Sequence, residues 1–72
     1  PTDSKININL KEGVNIKDIY FIDLNGKKLE PKEYFRYNNT LEINVSNLDI
    51  GIYILQIESD SEINKVKIII DR

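Results

Sequence analysis

The stretch from residue 46 to residue 57, SNLDIGIYILQI, sets the tightest limits on how this chain can fold. Ile52 and Ile54 would face one side of an extended backbone. Tyr53 and Leu55 would face the other, because side chains alternate along a strand. Both sides are apolar, whereas a strand with one wet face carries polar residues at every second position. The pattern therefore predicts a strand that lies centrally in its sheet and is covered on both faces.

The residues before this strand have the spacing Leu48-x-x-Gly51-x-Tyr53, which is typical of a corner between the two sheets of a Greek-key sandwich. In such corners the tyrosine hydroxyl bonds to a backbone group a few residues upstream and fixes the crossover. We expect Gly51 to occupy a crowded or positive-φ position that excludes a Cβ atom. The alternative is that Tyr53 is simply an aromatic residue of the core.

The composition favours an all-β chain that lacks the usual catalytic groups. The 72 residues include no cysteine, histidine or alanine, and the apolar content is dominated by isoleucine, whose β-branched side chain favours strands. Without cysteine and histidine the chain has no disulfide, none of the usual zinc ligand sets and few nucleophile–base pairs, so we expect neither enzyme activity nor a cofactor.

Charge and hydropathy exclude two further classes of partner. The net charge is −2, and lysines are interspersed with acidic residues, which leaves no basic face for nucleic acid. No apolar run approaches the roughly 20 residues of a transmembrane segment. We therefore expect a chain that binds no nucleic acid and has no transmembrane segment of its own.

The rest of the chain predicts further short strands, at residues 5–10, 15–24, 27–30, 40–45 and 63–70. Asn25-Gly26 predicts a type I′ hairpin, because both central residues of that turn need positive φ. Pro31 should end the third strand. Residues 31–39 fit either an edge strand or a loop over the core. Together these elements predict a small antiparallel β-sandwich of six to seven strands, of Greek-key type and without helix.

The acidic turn that follows the central strand raises the possibility of a calcium site. Glu58, Asp60 and Glu62 are closely spaced, but they lack the order of ligands found in an EF-hand loop. A solvated hairpin tip accounts for them better.

Aromatic and basic residues offer a different function. Tyr34, Phe35 and Tyr37 are suited to an aromatic platform for a sugar or peptide, as in a carbohydrate- or protein-binding module of a surface protein, or to a cover over the open end of the sandwich. Lys65 and Lys67 are suited to a partner-facing surface, or to a charged edge that deters aggregation.

Three segments, taken together, are more specific than any motif alone. They are residues 23–27 (DLNGK), 45–53 (VSNLDIGIY) and 67–70 (KIII). In order and spacing they resemble the type A C-terminal sorting domain of the type IX secretion system, and the resemblance covers nearly the whole chain. It implies an immunoglobulin-like sandwich that serves as a signal on an exported protein and not as a catalyst.

The resemblance also implies a route and a set of partners. A cargo domain, joined in cis on the N-terminal side, would cross the inner membrane of a Gram-negative bacterium by a signal peptide. The folded domain would be recognised in the periplasm by the outer-membrane type IX secretion machinery. A sortase-like surface protease would then usually remove it, leaving the cargo on the cell surface or secreted.

Residue by residue, the resemblance divides the motif into two groups. The fold-defining positions are Asp23, Asn25, Gly26, Leu48, Gly51 and Tyr53. The residues expected to face the machinery, beside an edge open to side chains or to strand addition, are Lys65, Lys67, Ile68, Ile69, Ile70 and Arg72.

Two departures from the family pattern bear on these expectations. The family usually opens with Tyr-Pro-Asn-Pro, and this chain opens with Pro1-Thr2, so we expect a single sorting domain over residues 1–72 that is excised from a longer protein and has a truncated first strand. The last hairpin, residues 59–62, lacks the glycine that the family often carries there.

Overall fold

A computed structural model describes residues 5–71 of the chain. This range contains seven β-strands and no helix, which confirms the predicted all-β class. The strands are β1 Lys5–Asn9, β2 Ile16–Ile22, β3 Lys28–Leu29, β4 Glu33–Tyr37, β5 Thr40–Asn44, β6 Gly51–Ser59 and β7 Ile63–Ile70. The expected truncation at Pro1-Thr2 lies outside the described residues.

The strands form two antiparallel sheets that pack as a sandwich. The smaller sheet has the order β1-β5-β4, and the larger sheet has the order β3-β2-β6-β7. The connections β1–β2, β3–β4 and β5–β6 each cross from one sheet to the other, so neighbouring strands in space are often far apart in sequence. This arrangement confirms the predicted antiparallel sandwich.

The core lies between the inner faces of the two sheets. Its buried side chains are Ile19, Phe21, Leu41, Ile43, Val45, Leu48, Tyr53, Leu55, Ile57 and Ile70. The predicted inward residues of β5, Leu41 and Ile43, are both fully buried. Phe21 meets Tyr53 edge to face, with ring centroids 6.2 Å apart, which ties β2 to β6 across their shared inner face.

The predicted position of β6 is confirmed, but its predicted two-sided burial is wrong. β6 pairs with β2 on one side and β7 on the other. Its inner face is buried at Tyr53 and Leu55, whereas Ile52 on the outer face is 37% exposed and Ile54 is half-buried. A two-layer sandwich has only one interior, and residues 5–71 form no third layer over the outer face.

The corner before β6 confirms the predicted role of Tyr53. The Tyr53 hydroxyl donates a hydrogen bond to the backbone carbonyl of Asp49 at 2.7 Å, and its ring is 6% exposed. The expectation for Gly51 is wrong. Its φ is not positive, and an added Cβ atom would lie 3.7 Å from the Tyr53 ring, an ordinary van der Waals distance. The glycine borders the tyrosine ring without being required by it.

The hairpin at Asn25-Gly26 exists, but it is not a type I′ turn. Only Gly26 has positive φ, at 84°, whereas type I′ needs it at Asn25 as well. The Gly26 amide donates to the Asp23 carbonyl, and Asp23 pairs through its own amide with Lys27, which leaves a three-residue loop. The Asp23 carboxylate accepts hydrogen bonds from the amides of Asn25 and Lys27 and so stabilises this longer turn.

Residues 31–39 contain an edge strand, which settles the alternative left open by the sequence. β4 pairs with β5 from Glu33 opposite Asn44 to Tyr37 opposite Thr40.

The last hairpin is tight although it lacks glycine. The Ser59 amide donates to the Glu62 carbonyl at 2.9 Å, and only residues 60 and 61 lie between them.

Candidate recognition surface

β7 is an edge strand of the larger sheet, and its sequence divides cleanly between two faces. It pairs antiparallel with β6 from Ile63 to Ile70, as predicted. Lys65 and Lys67 are exposed on the outer face, and Ile69 on that face is 63% exposed. Ile70 is 1% exposed, so its side chain belongs to the core.

The residues expected to face the machinery therefore separate into outward and inward groups. Lys65, Lys67 and Ile69 present their side chains to solvent. Ile68 is half-buried against the core, and Ile70 is buried within it, so while the sandwich is closed a partner reaches Ile70 only through the backbone. Arg72 lies outside the described residues.

The outer face of the larger sheet carries an uncovered group of isoleucines, which we call the isoleucine face. Its members are Ile22, Ile52, Ile54 and Ile69. Residues directly opposite each other on paired strands share a face, and Ile22 lies opposite Ile54 while Ile52 lies opposite Ile69. The group is therefore continuous across β2, β6 and β7.

Polar residues continue the same outer face beyond the isoleucines. Lys67 lies opposite Ile54, and Lys65 lies opposite Gln56. The next strand adds Tyr20, which lies opposite Gln56 on its other side. The outer face is thus apolar at one end of the strands and polar at the other. Lys65 and Lys67 form a basic margin along its β7 edge.

A hydrogen-bonded cluster occupies the polar end. The Tyr20 hydroxyl donates to the Glu58 carboxylate at 2.9 Å and accepts a hydrogen bond from the Gln56 side-chain amide. The Lys28 ammonium lies 4.4 Å from the centre of the Tyr20 ring and forms an ion pair with Asp18 at 3.9 Å. The hydrogen bond to Glu58, with lesser contributions from desolvation and nearby carboxylates, raises the pKa of Tyr20.

The two lysines on β7 differ from Lys28 in forming no ion pair within the described residues. Among residues 5–71, the ion pairs join Lys5 to Glu42 and Lys28 to Asp18, and neither Lys65 nor Lys67 takes part in one. Their charges therefore remain available to a partner.

The aromatic residues of β4 lie on the smaller sheet, away from the isoleucine face. Phe35 and Tyr37 are 49% and 57% exposed, and their rings stack with centroids 6.5 Å apart and planes 28° from parallel. Tyr34 lies opposite the buried Ile43 and is 44% exposed. These rings do not close the sandwich, and Tyr34 does not join the stacked pair.

The acidic turn behaves as a hairpin tip in the structure. The Asn15 side-chain amide donates to the Asp60 carboxylate at 3.2 Å, which ties this tip to the segment before β2. In the part of the chain that the structure describes, no three His, Cys, Asp or Glu side chains cluster closely enough to hold a metal ion.

A shallow cleft of about 230 Å³ opens where β1 and β7, the edges of the two sheets, fail to meet. Its apolar wall includes Ile8, Ile57 and Val66. The cleft adds an apolar recess beside the same edge strand that carries the two lysines.

Sequence reasoning missed both the isoleucine face and the Tyr20 cluster. The alternation of Lys65 and Lys67 with Val66 and Ile68 was a usable signal, because it marks one face of β7 as wet. Once β7 is paired with β6, that wet face must be shared by Ile52 and Ile54. The Tyr20 cluster depends on the register of β2 and β6, which no local pattern encodes.

These features define a small antiparallel sandwich whose larger sheet presents an open edge and an uncovered outer face. The model of one protein family, described as the secretion system C-terminal sorting domain, matches residues 1–71. The chain therefore belongs to the type IX secretion C-terminal sorting domain family. Neither a curated protein nor a solved structure matches it.

Membership gives the chain a role in protein export. It is a sorting signal for type IX secretion, which implies the secretion machinery and a cargo in cis as partners and the cell surface or the exterior as destination. The described residues include no apolar helix of membrane-spanning length.

Proposed function

We propose that the type IX secretion machinery recognises this domain in its folded form, in the periplasm of a Gram-negative bacterium, through the exposed side of β7. The domain itself is not an enzyme in this proposal. A sortase-like surface protease then removes it from the cargo, which is released or kept on the cell surface.

The observation that carries the proposal is the division of β7 into two faces. Ile70 and the half-buried Ile68 hold the strand to the core, while Lys65 and Lys67 point outward from a sheet edge without ion-pair partners in the described chain. A partner can reach this strand by side-chain contacts or by adding a strand to its free edge. Both modes need the strand to be folded in place.

The first experiment tests whether the chain is sufficient for export. All 72 residues are fused behind a folded reporter that carries a signal peptide, in a host with the type IX secretion system. We expect the reporter at the cell surface or in the medium, and in the periplasm when the chain is absent. A reporter that stays in the periplasm with the chain attached would contradict the proposal.

Deleting residues 67–72 should also leave the reporter in the periplasm, and export that survives the deletion would refute recognition of the terminal strand. The deletion alone is ambiguous, because it removes Ile70 from the core. The sharper variant is Lys65→Glu combined with Lys67→Glu, which reverses two exposed charges and leaves the core intact. We expect this variant to melt like the unaltered chain and to be exported poorly.

Recognition of the folded form has its own test. Ile57 is 2% exposed, so Ile57→Asp, which places an unpaired charge in the core, should unfold the sandwich while leaving the outer face of β7 unchanged in sequence. If the machinery reads folded structure, this variant fails to export its reporter. Export at the normal level by an unfolded variant would show that a linear segment is read instead.

Proteolytic removal is tested on the exported reporter. Its mass should fall by about the mass of the domain on arrival at the surface, and should stay unchanged in a host that lacks the surface protease. An exported reporter that keeps the domain in every host would contradict the cleavage step.

The competing assignment is a carbohydrate- or protein-binding module that uses the exposed Phe35 and Tyr37 pair. Phe35→Thr with Tyr37→Thr would abolish binding to such a ligand and leave export unchanged. Loss of export in that variant would favour the aromatic surface over β7.

A further inference from the structure

The isoleucine face has no covering layer within the described chain, although its side chains are those of a buried strand. β6 is apolar on both sides in sequence, and the fold uses only the side that carries Tyr53 and Leu55. Ile52 is left 37% exposed and its cross-strand neighbour Ile69 63% exposed. Contiguous apolar groups on a small soluble domain mark surfaces that bind another molecule.

Between β1 and β5, the outer face of the smaller sheet carries no isoleucine. There the cross-strand pairs that face solvent join β1 to β5 as Lys5 with Asn44, Asn7 with Glu42 and Asn9 with Thr40. Every one of these positions is polar. This part of the outer face of the smaller sheet is therefore polar, and the exposed apolar surface on that side of the sheet is the Phe35 and Tyr37 pair on β4.

The charges around the isoleucine face indicate what would cover it. On the polar side, Asp18 is engaged by Lys28 and Glu58 by the Tyr20 hydroxyl. Lys65 and Lys67 are the outward charges on the β7 margin, and neither has an ion-pair partner among residues 5–71. The charge that this face offers to a partner is therefore positive.

This arrangement disfavours a second copy of the chain as the covering partner. A two-fold contact centred on the isoleucines repeats the same surface on both copies. Lys67 lies directly opposite Ile54, so such a contact would enclose a Lys67 from each copy, while the nearby carboxylates of Asp18 and Glu58 are already engaged within each chain. Like charges placed together at an interface oppose association.

We propose that the isoleucine face is the surface by which the secretion machinery holds this domain, and that the opposing surface is apolar with acidic side chains placed against Lys65 and Lys67. The inference rests on the proposed function and extends it from the edge of β7 to the outer face of three strands. In this arrangement the isoleucines contribute affinity by burial, and the lysines fix orientation and discriminate between partners.

The test uses the complete 72-residue chain behind the same reporter. Ile52→Thr with Ile69→Thr removes apolar surface from the face and keeps β-branched residues in both strands. We expect reporter export to fall by about tenfold or more, because a few central apolar contacts dominate most interfaces. The matched control is Phe35→Thr with Tyr37→Thr, which removes exposed apolar surface from the opposite sheet and should leave export unchanged.

A second pair of variants tests the charge at the margin. Lys65→Glu with Lys67→Glu should reduce export, and Lys65→Arg with Lys67→Arg should retain it, since only the first changes the sign. Circular dichroism melting of each purified chain checks that the sandwich is intact. If the double threonine variant proves unfolded, Ile69→Thr alone decides the question, because Ile69 is 63% exposed and its substitution disturbs the fold least.

The outcomes separate this inference from the proposed function. Normal export by the folded Ile52→Thr with Ile69→Thr variant, while the Lys65→Glu with Lys67→Glu variant is exported poorly, overturns only the inference. Normal export by both folded variants overturns recognition through β7 as well. Failure of the unaltered chain to export overturns the proposed function and the inference with it. Sedimentation of the purified chain adds a third outcome. If the unaltered chain is a dimer and the Ile52→Thr with Ile69→Thr variant is a monomer, the covering partner is a second copy of the chain and the inference is overturned.

Discussion

The two faces of β6 are almost equally apolar in sequence and have opposite fates in the structure. Tyr53, Leu55 and Ile57 face the core and are buried. Ile52 and Ile54 face outward, beside the lysines of β7. The comparison shows that a run of apolar residues predicts a strand. It does not predict whether one face or both faces of that strand will be buried by the same chain. It also separates residues that hold the domain together from residues that folding does not need.

The largest expected effect comes from making one substitution on each face. Ile57→Thr places a hydroxyl in the core and removes buried apolar surface, so we expect a loss of about 2–4 kcal/mol in the free energy of unfolding. Ile52→Thr should cost about 1 kcal/mol or less, because that side chain is 37% exposed and lies outside the core. Urea denaturation measures both, and equal losses at the two positions would break the comparison.

The next effect concerns the hydroxyl on the buried face. Tyr53→Phe removes the hydrogen bond to the Asp49 carbonyl while keeping the ring that meets Phe21. We expect a loss of about 1–3 kcal/mol in unfolding free energy, since a partly buried carbonyl is left without this donor. Tyr37→Phe is the control, because Tyr37 is 57% exposed and should cost almost nothing. Thermal melting measures both variants. Equal melting temperatures for Tyr53→Phe and Tyr37→Phe would show that the corner does not depend on the Tyr53 hydroxyl.

A comparison of Gly51, at the start of β6, with Gly26, in the turn after β2, tests which glycine the fold requires. Gly26→Ala should destabilise the fold by about 1 kcal/mol, because its φ of 84° suits an L-residue poorly. Gly51→Ala should be nearly neutral, since its Cβ atom would make ordinary contact with the Tyr53 ring. Melting temperatures in the reverse order would mean that Gly51 is constrained in a way its geometry does not express.

The smallest effect lies on the outer face, at Tyr20. Because the hydrogen bond to Glu58 raises the pKa of Tyr20 in the folded state, the protonated phenol stabilises the fold. That contribution is fully present below the ordinary tyrosine pKa of about 10 and is lost as the pH rises through the higher folded value. Stability measured from pH 8 upward should therefore decline more gently in Tyr20→Phe than in the unaltered chain. Identical declines would exclude Tyr20 as the titrating group.

Most of the fold could be predicted from the sequence because its signals are local. The alternation at Leu41 and Ile43 and the spacing of Gly51 and Tyr53 each specify a face or a corner within a few residues. The errors arose where structure depends on distant segments or on side-chain hydrogen bonds. Asp23 selected a longer turn than Asn-Gly alone indicates, by binding two backbone amides.

The candidate surface was predicted only in part, and for the same reason. Lys65 and Lys67 are outward because β7 alternates, which the sequence shows directly. The exposure of Ile52 follows from the register that places it opposite Ile69, and from the absence of a third layer over the described sheet. Both are properties of the assembled sandwich and are invisible within any single strand.

The pairing of early strands with late ones has a consequence for synthesis. β2 can pair early with β3, but it must wait for β6, and β1 must wait for β5, so neither sheet can be completed before those later strands have been translated. A polypeptide broken off before β6 would lack the strand that links β2 to β7. If export requires the folded domain, such an unfinished product is not exported. Only cargo whose translation has continued through β6 then reaches the surface.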